Sequence, residues 1–225
     1  MQKERKKIKN ENLSEMDKVE ELIELFSVHY PDPTTSLDFT TTFELLVATI
    51  LSAQTTDVQV NKVTSELFKE YNKPEHFAVL SRKEMEEKIK SIGLYRNKAK
   101  FIIKTSKILL EGFDGKVPDN RSDLLKLSGV GRKTANVVLA NAFQKAAFPV
   151  DTHVFRVSAR LGLSSGKNVK ETERELTELI PEEYWIDLHH WIIDHGRAIC
   201  KAQNPDCENC FCSHLCTYYQ NKKEG

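Results

Sequence analysis

The sequence lacks both a long apolar run and an excess of charge of one sign. No stretch approaches the roughly 20 consecutive apolar residues that cross a bilayer, so no membrane-spanning helix is expected. The 225 residues carry 33 Lys and Arg against 33 Asp and Glu, which gives a formal net charge of zero. This balance argues against a protein that coats DNA through its overall charge.

The sequence also lacks a secretory signal and has few cysteines. Residues 1–10 are charged and contain no apolar core, so they predict a disordered basic tail over residues 1–12 rather than an export signal. The five cysteines cluster near the C-terminus. This pattern favours a metal site in a reducing cytoplasm over a disulfide framework.

Basic and acidic residues are concentrated in different parts of the chain. Residues 121–160 carry seven Lys or Arg against two acids, whereas residues 171–187 carry seven acids against one Arg. Solvated helix faces explain the acidic stretch well and the basic stretch less well. The basic stretch fits a polyanion bound at one site on a neutral protein.

The apolar periodicity is helical throughout, and no stretch alternates in the way a strand requires. About ten short helices joined by short connections predict an all-α protein. The patterns Thr41-x-x-Glu44 and Ser81-x-x-Glu84 are capping boxes that open two of these helices. The predicted helices cover residues 16–30, 41–51, 57–71, 81–92, 95–111, 123–127 (capped by Ser122), 132–143, 152–161, 170–180 and 183–200.

The most informative segment is Leu-Ser-Gly-Val-Gly-Arg-Lys-Thr-Ala, from Leu127 to Ala135, between two predicted helices. Gly129 and Gly131 permit backbone angles closed to other residues and a close approach to a ligand. The amides of Val130, Gly131 and Arg132 open a helix, where unpaired N–H groups and the helix dipole favour an anion. A plain turn between helices is the alternative, but the flanking residues favour a phosphate clamp that positions DNA without reading its sequence.

Lys133 falls in the first turn of the helix that follows, where the helix dipole disfavours a cation. Together with Arg132 and partial burial, this field favours the neutral amine that nucleophilic attack needs. A phosphate-binding lysine is the alternative and the commoner use. Asp151, in Val150-Asp-Thr-His153, is placed to cap the next helix, and it is also a candidate to stabilise a cationic sugar or to move protons.

Four cysteines follow the last long predicted helix with the spacing Cys200-x6-Cys207-x2-Cys210-x5-Cys216. Zinc is one alternative, since four thiolates also suit a tetrahedral site. Zinc sites usually join two Cys-x2-Cys pairs across a dozen or more residues, whereas here one such pair is flanked on both sides. This compact arrangement favours a 4Fe–4S cluster, with Cys212 left as a spare thiol.

These motifs, together with Leu51-Ser-Ala-Gln-Thr-Thr-Asp57 and Gly93-Leu-Tyr-Arg-Asn-Lys-Ala99, make the chain resemble the endonuclease III family of helix-hairpin-helix DNA glycosylases with lyase activity. The resemblance runs from about residue 15 to residue 217. It implies two helical lobes: a six-helix barrel over residues 35–145, and an iron–sulfur lobe formed by residues 1–34 and 146–225. One departure is Ser128, which stands where the family usually has proline.

The resemblance also implies a reaction on damaged double-stranded DNA, in which an oxidised pyrimidine is flipped out of the duplex. Lys133 would attack C1′, assisted by Asp151, and β-elimination would then break the strand 3′ to the lesion. Gln54 would fill the vacated space and Leu94 would wedge into the opposite strand. The hairpin contacts implied with DNA come from Gly129, Val130, Gly131, Arg132 and Thr134. The protein is expected to act as a monomer, in the cytoplasm at a bacterial-type nucleoid.

Several other functions remain possible on the same fold. An adenine-specific mismatch glycosylase usually lacks a lysine at the position of Lys133 and carries a further C-terminal domain. Pyrimidine-dimer and thymine–guanine mismatch glycosylases of the same superfamily are further alternatives. A non-catalytic DNA-binding protein would need neither Lys133 nor Asp151, so their joint presence argues against it.

Overall fold

The computed structural model describes residues 14–224, and the predicted basic tail lies outside them. Within the described residues all regular secondary structure is helical, which confirms the all-α class. In this range no helix combines the length and the apolar character needed to cross a membrane. The helices are α1 (Glu15–His29), α2 (Thr42–Ser52), α3 (Asp57–Glu70), α4 (Pro74–Ala78), α5 (Arg82–Lys88), α6 (Tyr95–Gly112), α7 (Arg121–Leu124), α8 (Arg132–Phe143), α9 (Thr152–Leu161), α10 (Val169–Leu179), α11 (Trp185–Ala198) and α12 (Thr217–Glu224), with 3₁₀ turns at Glu182–Tyr184 and Ser213–Leu215.

The helix starts follow the capping chemistry of the sequence. The predicted capping boxes at Thr41 and Ser81 are both present. The helix before the glycine turn is different, because Asn120 rather than Ser122 caps it, and it spans only Arg121–Leu124. The Ser122 hydroxyl instead donates to the Asn120 side chain at 2.7 Å. Short helices α4 and α12 were not predicted.

The described chain divides into two compact units. We call Thr35–Pro149 the hairpin unit, since it contains the turn between α7 and α8. Helix α2 is its centre, because every residue from Phe43 to Leu51 is buried. It packs against α3, α6 and α8, while α6 also packs against α4 and α5. A helix that is apolar on nearly all sides needs such a surrounding layer.

The other unit, which we call the cysteine unit, joins the segment ending at Thr34 to the segment beginning at Val150. Helix α9 packs against α10, α11 and α12, and α11 packs against α1. The buried Phe26 ring lies parallel to Trp191, with 6.4 Å between ring centroids. Arg156 ties α9 to the end of α11 by donating to the carbonyls of Gly196 and Cys200, each at 3.0 Å.

Candidate active site and metal centre

The turn between α7 and α8 depends on Gly129. Its φ of +79° lies in the left-handed region, and an added Cβ would meet the Phe101 ring at 2.8 Å. Only glycine satisfies both conditions without strain. The Thr105 hydroxyl holds the turn from α6 by donating to the Ser128 carbonyl at 2.7 Å. The backbone of Ser128, the residue that departs from the family pattern, is therefore held by the neighbouring helix α6.

Helix α8 begins without a side-chain cap. Its N-cap is Gly131, with φ −95° and no side-chain hydrogen bond, and an added Cβ there would meet nothing within 4 Å. The first-turn N–H groups of an uncapped helix point out of its N-terminus, where they favour an anion. The Val130 amide, predicted to be one of these unpaired groups, instead donates to the Leu127 carbonyl at 3.3 Å, and the Val130 side chain is buried. Thr134 lies half-buried in the same turn.

Lys133 is the second residue of α8, and its side chain is exposed. The partial burial expected from the sequence is therefore absent. No hydrogen bond or ion pair ties its amine to another described residue of the hairpin unit. Arg132, directly before it, is also exposed. The helix thus presents a free primary amine beside its uncapped N-terminus.

Asp151 is the N-cap of α9. One of its carboxylate oxygens, Oδ1, accepts the backbone N–H groups of His153 and Val154, each at 2.8 Å. The other oxygen, Oδ2, has no hydrogen-bond partner among the described residues. The capping interaction orients the carboxyl group and leaves Oδ2 available to interact with a substrate. Half-burial of His153 beside this cap lowers the pKa of its imidazole, against the opposing charge of Asp151.

Gln54 and Leu94 lie on neighbouring loops of the hairpin unit. Both are exposed and both have left-handed backbones, with φ of 55° and 58°. Gly93 brings the loops together, since an added Cβ there would lie 3.0 Å from the Gln54 carbonyl oxygen. Leu94 is 54% exposed, a large apolar side chain left in water at the start of α6.

Four cysteines line one pocket in the cysteine unit: Cys200, Cys207, Cys210 and Cys216. All are free thiols. Arginines of α9 hold the loop that carries the first of them, since Arg160 donates to the Cys200 sulfur at 3.4 Å and to the Lys201 carbonyl at 2.7 Å. The predicted set of ligands is thus assembled around a common space.

The chain matches the model of the HhH-GPD superfamily of base excision DNA repair proteins over residues 47–182. Endonuclease III of Escherichia coli (strain K12) is 50% identical over 84% of this chain and 89% of that protein. Endonuclease III of Rickettsia prowazekii (strain Madrid E) is 48% identical over 89% of this chain and 94% of that protein. The chain belongs to the endonuclease III family.

A solved structure supports this membership. A trapped covalent intermediate of endonuclease III with DNA, in an estranged-adenine complex, superposes with a TM-score of 0.88 at 44% identity, covering 94% of this chain and all of that one. The chain therefore has the two-lobed helix-hairpin-helix glycosylase fold. As a member of the family it is a base-excision-repair DNA glycosylase with AP lyase activity.

This chain contains a group of cysteine and histidine side chains that could hold a metal ion, and the group includes Cys212, which was predicted to be a spare thiol. The ligand atoms of His195, Cys210 and Cys212 all lie within 4.8 Å of one another. A hydrogen bond from the buried Cys212 thiol lowers the pKa of Cys210. The lowered pKa favours the thiolate, which is the form that binds metals. The Cys210-x-Cys212 spacing was a signal in the sequence that Cys212 could bind a metal, whereas no motif indicated His195.

The glycine turn yields the first testable prediction. Gly129→Ala adds a methyl group against the Phe101 ring at a left-handed position, so we expect a loss of about 1–3 kcal/mol in the free energy of unfolding. Gly131→Ala adds the same methyl group in open space and should leave stability within about 1 kcal/mol. Denaturant unfolding of both variants measures the difference. Equal stability of the two would show that the Phe101 contact does not constrain the turn.

Proposed function

We propose that this enzyme removes oxidised pyrimidines from duplex DNA through a covalent intermediate on Lys133 and then cleaves the strand 3′ to the abasic site. The observation that carries this proposal is the free, exposed amine of Lys133 in the first turn of an uncapped helix. A helix N-terminus of this kind binds a phosphate through its backbone amides. The phosphate next to the lesion would then hold the sugar within reach of the amine.

The proposed reaction has two stages. The neutral Nζ of Lys133 attacks C1′, and the N-glycosidic bond breaks with its electron pair leaving on the base, which takes up a proton. The amine loses a proton and the sugar ring opens to a Schiff base between Nζ and C1′. The protonated Schiff base acidifies C2′; loss of that proton breaks the C3′–O bond, and the electron pair leaves with the phosphate.

Asp151 has a separate proposed role. Its capping bonds to two backbone amides fix the position of the carboxyl group, and its unbonded Oδ2 is available to the substrate. A carboxylate there stabilises the positive charge that develops on the sugar as the base leaves. The same oxygen can accept or return protons during the exchange at C1′.

The proposed DNA contacts divide between the hairpin and the two exposed loops. The phosphate backbone is bound by Gly129, Gly131, Arg132 and Thr134, which read no sequence. Val130 shapes the turn instead, because its amide donates to the Leu127 carbonyl. Leu94 enters the base stack as an apolar wedge, and Gln54 occupies the space left by the flipped base. The solved complex of endonuclease III trapped covalently on DNA supports DNA as the partner of this chain.

The proposed cofactor is a 4Fe–4S cluster held by Cys200, Cys207, Cys210 and Cys216. Their common cavity and their four thiol groups fit that cluster. When bound, the cluster orders the surrounding loop and supplies no chemistry to base removal. With chromosomal DNA as substrate, the proposed place of action is the cytoplasm, at the nucleoid.

The proposed substrate class predicts the outcome of a trapping experiment. The protein is incubated with a duplex containing one thymine glycol, and borohydride is added to reduce any Schiff base. We expect a stable protein–DNA adduct, and without borohydride a strand cut 3′ to the lesion. An undamaged duplex serves as the control and should give neither product. Trapping only with a thymine–guanine mismatch, a pyrimidine dimer or a preformed abasic site would refute the proposed lesion class.

The protein preparation needs its own control. Iron and acid-labile sulfide are measured before the assay, and we expect about four of each per chain for a 4Fe–4S cluster. One zinc per chain and no sulfide would refute the proposed cofactor while leaving the lysine chemistry testable.

A further inference from the structure

Lys98 has an unusual environment for a lysine. It lies in the first turns of α6 and is only 3% exposed. Its ammonium donates three hydrogen bonds, to the Leu51 carbonyl at 2.8 Å, the Ala53 carbonyl at 2.6 Å and the Thr55 hydroxyl at 3.0 Å. A buried charge is costly unless its hydrogen-bonding capacity is used. Here all three ammonium hydrogens have acceptors.

The partners of Lys98 form the C-terminal end of α2. The last carbonyls of a helix lack backbone partners and carry the negative end of the helix dipole, so a cation stabilises them. Ala53 is the C-cap of α2 and has no helical backbone angles, with φ −57° and ψ 115°. Burial lowers the pKa of Lys98 to about 8, because desolvation disfavours the charged form of the amine. The amine thus acts as the cap of a helix from another part of the chain.

Lys98 joins the two segments that carry Gln54 and Leu94. Gln54 directly follows Ala53, whose carbonyl Lys98 binds, and Leu94 is the N-cap of the helix on which Lys98 lies. Both residues have left-handed backbones, which non-glycine residues adopt only when their surroundings hold them there. The tight packing of Gly93 on the Gln54 carbonyl shows that the loops are in close contact. Lys98 adds three hydrogen bonds between the two segments.

We propose that Lys98 is a positioning residue for base flipping, which fixes the loop of Gln54 against the loop of Leu94 so that both side chains enter the DNA together. The inference rests on the proposed function, since it assigns Gln54 and Leu94 their roles in DNA. Lys98 itself touches neither substrate nor the reacting atoms. Its loss shifts both loops at once, and a misplacement of about 1 Å can slow a reaction about 100-fold.

The test uses Lys98→Met, which keeps much of the apolar stem and removes the three donors. Base flipping is measured in a Lys133→Ala background, by the fluorescence of 2-aminopurine placed opposite thymine glycol in a duplex. We expect the fluorescence increase to disappear, while binding to undamaged duplex stays within about twofold, because the hairpin supplies the phosphate contacts. With Lys133 intact, single-turnover base excision should slow about 10- to 100-fold.

Lys18→Met is the matched control. Lys18 is a half-buried lysine that also caps a helix, since its ammonium donates to the Leu161 carbonyl at 2.6 Å at the end of α9. It belongs to the cysteine unit and lies on neither loop. We expect it to lower thermal stability and to leave the 2-aminopurine signal unchanged. Equal loss of signal in both lysine variants would show that Lys98 acts only through general stability, and would overturn the proposal.

A second variant tests the same contact without removing a buried charge. In Gly93→Ala the added Cβ would lie 3.0 Å from the Gln54 carbonyl oxygen and 3.3 Å from the Thr55 hydroxyl, so it pushes the loops apart. We expect the same loss of the 2-aminopurine signal in Gly93→Ala. Gly112→Ala should keep the full signal, because the Cβ added there meets nothing within 4 Å. If Lys98→Met does not fold, a normal signal in Gly93→Ala overturns the proposal.

Failure of the positioning role and failure of the proposed function give different results. If the Lys133→Ala protein with native Lys98 shows no fluorescence change on any lesion duplex, Gln54 and Leu94 do not act in base flipping, and the proposed function is at fault. If that protein shows the change and Lys98→Met retains it, only the positioning role is refuted.

Discussion

Replacing Lys133 with alanine should abolish the borohydride-trapped adduct and slow base excision by at least about 1,000-fold, the scale seen when a covalent nucleophile is removed. The side chain is exposed and bonded to no other described residue of its unit, so the substitution should leave folding intact. Single-turnover excision and gel analysis of trapped product measure the two effects.

The matched control for Lys133 is Lys104→Ala, an exposed lysine on α6 of the same unit. Its loss removes the same charge without touching the hairpin, and excision should stay within about threefold, as for a surface substitution of small effect. A trapped adduct that survives in Lys133→Ala would place the Schiff base on another amine. Thermal unfolding of both variants separates a loss of chemistry from a loss of structure.

Asp151→Asn should slow base excision about 100- to 10,000-fold with almost no change in stability. Asparagine caps a helix about as well as aspartate, so its side-chain oxygen can keep accepting the amides of His153 and Val154. The substitution therefore removes the negative charge and little else. The comparison with Asp151→Ala, which should also lose about 1 kcal/mol of stability, separates the cap from the charge.

The control for the cap is Asn168→Ala. Asn168 caps α10 through its side chain, which accepts the Glu171 amide, and it has no proposed role in the reaction. We expect a stability loss of about 1 kcal/mol and unchanged excision. Full activity in Asp151→Asn would refute the catalytic role of the carboxylate and leave Asp151 as a cap alone.

The sequence predicted best where the deciding interactions are local. Capping boxes at Thr41 and Ser81, and the helix Arg132–Phe143 after the glycine turn, all depend on residues within a few positions of one another. The predicted start of α7 was wrong, because Asn120 and Ser122 are both good N-cap residues and only one of them can occupy the N-cap position. The family was also recognisable from short motifs, and the relatives confirm it.

The sequence by itself determined the helical class, the family, the glycine turn and the identity of the candidate site residues. Periodicity, capping and motif spacing depend on residues that are close together in the chain. The tertiary structure decided what each group touches. It alone showed that Phe101 closes on Gly129, that His195 joins Cys210 and Cys212, that Lys133 is exposed and that Lys98 caps a distant helix. Such contacts join residues far apart in the chain, and they exist only after the helices pack.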